Sequence, residues 1–348
     1  MNVTELMAQI RTEMTGDLEK DIQHLQDVAT DLHKEENSKE LLEAVAEYAF
    51  SLMPDNARDK MVEMTFVNGK RMDQVYGEAV KLLESGDTDG SAALLSAISD
   101  KIAEKFEGGS VKWFSFRNPF EYHMYRYLYP DDTVFDRAPF DFAKYLAMYG
   151  YVLLEQRKAL DAEKAIERAI KFNPVGADIR FELAEINKFA HNQERLLKVC
   201  QDTLPLCTTA DRYARVLANM GFYCYVASDY DSAAVFYFES LRFEQSKAVE
   251  LELQDVLHRM KTFGMKFAPP THGKIIDTYE KYGLTPPPDS RMVNLALTLA
   301  DSARQHGRID LELMFLRTAY DMTHEAAFRE RMETVAAELQ EQQNTSGT

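Results

Sequence analysis

The chain is poor in the residues that fold a backbone into tight turns. Its 348 residues include 15 glycines and 11 prolines. That is too few for the many hairpins of a sandwich or barrel, so the composition points to helices. Cysteine is nearly absent. Cys200, Cys207 and Cys224 are an odd, small set that builds no disulfide framework and suits a reducing compartment. No apolar run approaches the ~18 residues needed to cross a bilayer. Residues 1–31 are polar and acidic, without the basic-then-apolar order of a secretory signal. A cytoplasmic location is the expectation. Positive charge is also scarce: 40 Lys and Arg stand against 57 Asp and Glu, a net charge of −17. Such a chain repels phosphate backbones and anionic lipid surfaces, which disfavours nucleic acid and membranes as partners.

What is present is enough to bury a core. Apolar residues make up 45% and charged residues 28%, the proportions of an ordinary globular protein. The negative charge is uneven. Residues 1–105 hold 11 Lys and Arg against 22 Asp and Glu, so that third carries −11. A solvated acidic face accounts for this, and it also suits a basic partner.

Residues 1–107 read as an acidic helical region. Ile22, Leu25, Val28 and Leu32 recur at helical spacing, as do Leu41, Leu42, Val45, Ala46, Ala49 and Leu52 before Pro54. Ser85-Gly86-Asp87 forms a turn, and a further helix follows to about Phe106. Residues 108–140 are an aromatic-rich connecting segment that holds Trp113, Phe114, Phe116, Phe120, Tyr122, Tyr125, Tyr127, Tyr129, Phe135 and Phe140. Asn118-Pro119 looks like a helix start, with Asn capping and Pro at the first helical position. Residues 141–245 are strongly periodic helices with short breaks. Residues 246–340 add further helices, including a hairpin across His306-Gly307-Arg308, and 341–348 read as a polar, disordered tail.

No pattern of residues announces chemistry. There is no Gly-x-Ser-x-Gly elbow, no dinucleotide glycine cluster and no phosphate loop, and no two histidines sit at the spacing that binds zinc on a helix. Catalytic, cofactor and metal residues are therefore expected to be none. Cys200, Cys207 and nearby His191 read as packed thiols rather than a metal site. Asp87, Asp89 and Gly90 read as a capped turn rather than a calcium loop. Asp131, Asp132 and Asp136 read as a solvated acidic loop. An enzyme with an unfamiliar site, using Glu121, His123 and Asp131, is the remotest reading.

The periodic region repeats. Leu146, Tyr149, Gly150, Leu153, Ala162, Ile166, Ala169 and Pro174 align with Leu217, Met220, Gly221, Cys224, Ala233, Tyr237 and Ser240. Small side chains at Gly150 and Ala162 let two helices approach to the ~8–10 Å of tight packing. Pro174 stops the second helix, because it cannot continue the hydrogen-bond ladder. A degenerate unit around 177–208 lies between, and weaker units around 75–98 and 291–322 flank the array. This pattern resembles the tetratricopeptide repeat, a ~34-residue helix-turn-helix.

The resemblance implies an all-α fold, a right-handed α-α superhelix of antiparallel helix pairs, with the N-terminal helical region before it. It also implies a protein- or peptide-binding adaptor or scaffold whose first helices line a concave face. Carried over to this chain, the putative groove is Lys144, Tyr151 and Glu155 with Ala147, then Phe181, Glu185 and Lys188, then Arg215, Asn219, Phe222 and Tyr225. The family's clamp for chaperone C-terminal tails is mostly missing. Ala147, Tyr151 and Glu182 stand at its places and only Arg215 and Asn219 suit it, so such a tail is an unexpected partner. A regulatory sensor for a small molecule or signalling peptide is the alternative.

Overall fold

The computed structural model describes residues 2–32, 38–130, 134–266 and 268–346. The chain forms two compact units, residues 1–74 and 75–348.

In the first unit, α1 (Val3–Glu13), α2 (Leu18–Leu32) and α3 (Lys39–Leu52) pack together, with α1 and α2 both against α3. Leu6, Ile10, Leu25, Leu32 and Val45 form their core. Asn2 opens α1 with a capping box: its side chain accepts from Glu5 N–H, and Glu5 returns the bond. Then α4 (Asp55–Thr65) leads into a two-residue hairpin, β1 (Phe66–Val67) with β2 (Lys70–Arg71). Asn68 and Gly69 both take positive φ there, the backbone that such a turn needs.

The second unit is built from antiparallel helix pairs. They begin with α8 (Phe142–Glu155) and α9 (Ala159–Phe172), before which come α5 (Met72–Glu84), its second-unit part beginning at Val75, and α6 (Thr88–Phe106). Next come α10 (Ala177–Phe189) with α11 (Gln193–Thr203), and α12 (Ala210–Val226) with α13 (Tyr230–Phe243). Before α8, the aromatic segment forms β3 (Lys112–Phe114), α7 (Pro119–Leu128) and β4 (Phe135–Arg137), and β3 and β4 pair in parallel. The central pairs stack stepwise: α10 packs on α8 and α9, and α12 packs on α10 and α11. Sequence placed the helix over residues 88–106 with the N-terminal region. It instead packs on α8, with Phe106 against Phe142 at 4.6 Å between ring centres.

Beyond α13 lie α14 (Lys247–Thr262) and α15 (His272–Lys281), both against α13. The hairpin α16 (Ser290–Gln305) with α17 (Ile309–Thr323) turns back, α16 touching α7 and α17 touching α12. Finally α18 (Ala326–Ser346) packs on α17 and continues as helix past Gln340, where the sequence suggested a tail. Residues 347 and 348 of that tail lie outside the described residues.

One turn recurs between successive helices. Gly86, Arg157, His191, Ser228 and Gly307 all take positive φ there. In each, the next residue's N–H returns to the carbonyl five positions back: Asp87 to Leu82 at 2.8 Å, and Lys158 to Leu153, Asn192 to Asn187, Asp229 to Cys224 and Arg308 to Ala303, each at 2.9 Å. This bond satisfies a carbonyl that the helix end leaves open. At Gly264 and Gly283 too the following N–H returns five residues back, Met265 to Met260 and Leu284 to Tyr279, each at 2.9 Å.

Seven residues before each of Gly86, Arg157, His191, Ser228 and Gly307 stands a small side chain: Ala79, Gly150, Ala184, Gly221 and Ala300. All five are buried. Before Gly264 and Gly283, Leu257 and Ile276 stand seven positions earlier instead. Gly150 and Gly221 lie where the partner helix crosses. A Cβ added at Gly150 would meet Ile166 at 2.6 Å and the Ala162 carbonyl oxygen at 3.2 Å. One added at Gly221 would meet the Tyr237 ring at 2.7–2.8 Å. The weak flanking units thus share both the turn and the small residue before it with the clear ones.

The aromatic segment fills rather than covers. Phe114, Phe120, Met124 and Tyr125 are buried. Phe114 meets Tyr125 and Phe135 at 4.8 and 4.7 Å. Ser115 N–H donates to the Phe172 carbonyl at 2.7 Å, and Phe120 reaches Phe315 of α17 at 6.5 Å. Asn118 caps α7, accepting from Glu121 N–H at 2.9 Å.

Candidate binding face

The first helices of the three central pairs, α8, α10 and α12, are neighbours in the stack. The residues they present toward one another and toward solvent carry charge and aromatic rings in alternation. Lys144 of α8 holds its ammonium 5.5 Å from the Tyr76 ring centre. Arg215 of α12 lies 4.5 Å over Phe181 of α10, and its guanidinium is 3.6 Å from Glu182. Lys188 of α10 sits 5.3 Å over Phe222 of α12 and pairs with Glu185 at 3.0 Å. Tyr225 donates its hydroxyl to Asp255 of α14 at 2.5 Å. Cations over ring faces are attracted by the ring quadrupole, so these contacts order long side chains at the surface.

Of the sequence-derived set, Phe181 with Arg215 and Glu185 with Lys188 and Phe222 are in contact, while Lys144 and Tyr225 reach Tyr76 and Asp255 instead. Phe181 and Asn219, expected on the open face, are only 2% and 3% exposed. Phe181 is covered by Arg215, and Asn219 packs between helices of the stack. Lys144, Tyr151, Glu155 and Arg215 are exposed, and Glu185, Lys188, Phe222 and Tyr225 are half-buried. Of the two residues suited to a carboxylate clamp, Asn219 is buried and Arg215 is occupied by Glu182 and Phe181.

At one end this face deepens into a cavity of about 490 Å³. Tyr76, Leu83, Ala147, Met148, Tyr151 and Ile179 make its apolar walls. Its polar end is formed by Arg117, Asp141, Asn173, Asp178 and Glu182, with Lys144 beside them. Sequence reasoning singled out Tyr151, Lys144, Ala147 and Glu182 but missed Asp141, Asn173, Asp178 and Arg117. Those four arrive from helix ends and a connecting loop, where no periodic signal marks them.

The polar end is an ordered network. The Arg117 backbone N–H and Nε donate to Glu121 at 2.8 and 2.7 Å, and its guanidinium also reaches Asp178. Arg212 donates to both Asp178 oxygens at 2.8 and 2.7 Å. Burial alone would raise the Asp178 carboxyl, but the Arg212 and Arg117 hydrogen bonds outweigh it and hold it below the usual range. Asn173 Nδ2 donates to Glu121 at 2.8 Å. Asp141 opens α8, accepting from Lys144 N–H at 3.0 Å. Burial pushes the carboxyls of Asp141 and Glu182 up, and pushes the Tyr76 phenol up to about 12.

The residues once weighed for chemistry are dispersed. Glu121 is buried within the Arg117 network, and His123 packs near Phe315 at 6.1 Å, where burial lowers its pKa. Asp131 and Asp132 lie outside the described residues. Cys200, Cys207 and Cys224 are free and buried, and desolvation raises all three thiols, which disfavours the reactive thiolate. Asp87 caps α6 by accepting from Gly90 N–H at 2.8 Å. Among the described residues no group of three metal-binding side chains occurs, and no helix is long and apolar enough to cross a membrane.

No family model matches the chain, and no curated protein is significantly similar to it. Similar solved structures are helical-repeat proteins. The pilF protein of Pseudomonas aeruginosa shares 13% identity with a TM-score of 0.40, over 76% of this chain and 96% of that one. A thermophilic TPR protein of Thermus thermophilus shares 12% with a TM-score of 0.35, over 76% and 99%. A tetratricopeptide repeat protein of Parabacteroides merdae shares 10% with a TM-score of 0.31, over 76% and 98%. Superpositions this loose fix neither register nor role. The repeated turn and the buried small residue seven positions before it make the second unit a tetratricopeptide-like stack of helix pairs.

Proposed function

We propose that the chain is a protein-interaction scaffold that holds a peptide segment of a partner along the inner faces of α8, α10 and α12. One observation supports this reading: α10 packs on both α8 and α12, with Lys188 over Phe222 and Arg215 over Phe181 between α10 and α12, and a cavity lined by Lys144 and Tyr151 beside them. Such a face offers aromatic area at low conformational cost, with polar groups to fix register. Lys188 with Glu185 and Arg215 with Glu182 are already paired, so the face does not demand one strong counter-ion along its whole length.

The test is a selection of random dodecapeptides displayed on phage against the full chain, followed by affinity measurement on an enriched peptide. The triple variant Tyr151→Ala, Phe222→Ala, Tyr225→Ala removes exposed or half-buried rings while keeping the small residues at the crossings. It is expected to keep its helical circular dichroism and to bind the peptide at least tenfold more weakly. Unchanged affinity in a folded variant would sink the proposal.

A further inference from the structure

The cavity at the end of the face has a particular chemistry. Asn173 is wholly buried and on its wall, and Asn173 Oδ1 has no hydrogen-bond partner. The assignment of oxygen and nitrogen is fixed by the Nδ2 bond to the Glu121 carboxylate, which can only accept. A buried acceptor left open costs about 1–3 kcal/mol, which a donor recovers on pushing past the wall to reach it.

Two carboxyls face the same space. The cations Arg117 and Arg212 are held by Glu121 and Asp178. Lys144 and Arg215 place their charged ends over the rings of Tyr76 and Phe181, and Arg215 also pairs with Glu182 at 3.6 Å. Asp141 accepts the Lys144 backbone N–H, and the charges of Arg117 and Lys144 also act on it. Burial raises both carboxyls, because the cavity wall strips water from them. The remaining walls include the ring of Tyr151, on the same helix as Lys144.

We infer that this cavity receives a basic side chain, arginine or lysine, of the bound peptide, with Asp141, Glu182 and Asn173 Oδ1 as its polar partners and the tyrosine rings as its walls. The assignment rests on the reading that the inner face takes a peptide, and it names the chemistry of the anchoring residue. An apolar side chain leaves the carboxyls desolvated and the amide oxygen unpaired. An acidic one is repelled. A guanidinium or ammonium supplies donors to all three acceptors and stacks on the rings. The volume of about 490 Å³ falls within the ~300–1,000 Å³ range of ligand pockets.

The experiment uses a peptide enriched from the dodecapeptide selection, synthesised with its basic residue and again with citrulline for arginine or norleucine for lysine. Affinities are measured by calorimetry for the full chain and for the double variant Asp141→Asn, Glu182→Gln. Asparagine preserves the cap of α8, so the fold is kept. The neutral peptide is expected to bind the unaltered chain at least tenfold more weakly than the basic one. That penalty is expected to shrink below threefold in the double variant. Equal binding of basic and neutral peptides, or an equal penalty in the double variant, overturns the assignment while leaving the groove in place. Enriched peptides without basic residues do the same. Failure to enrich any sequence removes the groove reading and this assignment together.

Discussion

Replacing Gly221 with alanine tests whether close helix approach is what holds the stack. The new Cβ would stand 2.7–2.8 Å from three ring carbons of Tyr237, a distance real methyl groups do not tolerate. Tyr237 is buried, and its ring has nowhere to retreat without moving α13 against α12. Overpacking of this kind costs about 1–3 kcal/mol. Alanine in mid-helix recovers about 1 kcal/mol over glycine through lower backbone entropy, so the net loss is about 0–2 kcal/mol. For a unit of this size that lowers Tm by up to roughly 4 °C. Gly77, in α5, provides the control: no atom lies within 4 Å of a Cβ there. Only the propensity gain remains, so Gly77→Ala is expected to be stabilising by about 0.5–1 kcal/mol. Gly150→Ala falls between, because the nearest obstacle is the flexible end of Ile166. Thermal unfolding followed by far-ultraviolet circular dichroism reads all three. If Gly221→Ala melts above the unaltered chain, the close-approach argument is refuted.

Three further outcomes follow from the structure. Ser228 is exposed and held at φ 61°, so Ser228→Gly is expected to gain about 0.5 kcal/mol in denaturant unfolding, the relief of strain exceeding the added chain entropy. Asp229 caps α13 and binds Lys281 at 2.6 Å; burial would raise its carboxyl, but bonds from Lys281, Ser232 and Tyr282 bring it down to about 2. A depressed carboxyl stabilises fully above its unfolded value of 3.8 and loses that stabilisation as pH falls toward about 2. After allowance for solvent screening this is about 1 kcal/mol, and Asp229→Asn, which keeps the cap, should flatten that part of a stability-versus-pH curve. Glu312 is fully buried and pairs with Arg304 at 2.5 Å and Arg331 at 2.8 Å. Glu312→Ala is expected to lose about 2 kcal/mol in chemical denaturation, below the full cost of an orphaned buried charge because both arginines reach solvent.

The array was legible in the sequence wherever the crossing residue was glycine. Gly150 and Gly221 stand out because few residues compete for so tight a place. Ala79, Ala184 and Ala300 are buried at the same offset from a turn, but alanine is common in any helix and carries no signal alone. The turns hid for a related reason. Gly86 and Gly307 announce a left-handed residue, whereas Arg157, His191 and Ser228 occupy that conformation without the expected residue type. The last hairpin was obscured at Glu312, which stands five residues after the turn, where Ala162 and Ala233 stand in the clear repeats.

The candidate face was half legible. The tetratricopeptide resemblance placed Lys144, Tyr151, Lys188, Arg215, Phe222 and Tyr225 on the first helices, and of these Lys188 and Phe222 are in contact. Spacing alone could not say that Phe181 and Asn219 sink into the stack, because that depends on how far α10 and α12 approach. It could not assemble Arg117, Asp141, Asn173 and Asp178 either. Arg117 and Asp178 are 61 residues apart and meet only because the aromatic segment docks beside the stack.

Amide hydrogen exchange of the full chain with and without an enriched peptide tests the scaffold reading most directly. Protection is expected over Phe142–Glu155, Ala177–Phe189 and Ala210–Val226, the first helices of the three central pairs, with α9, α11 and α13 unchanged. Protection confined to the second helices, or to residues 2–32 and 38–74, would contradict it.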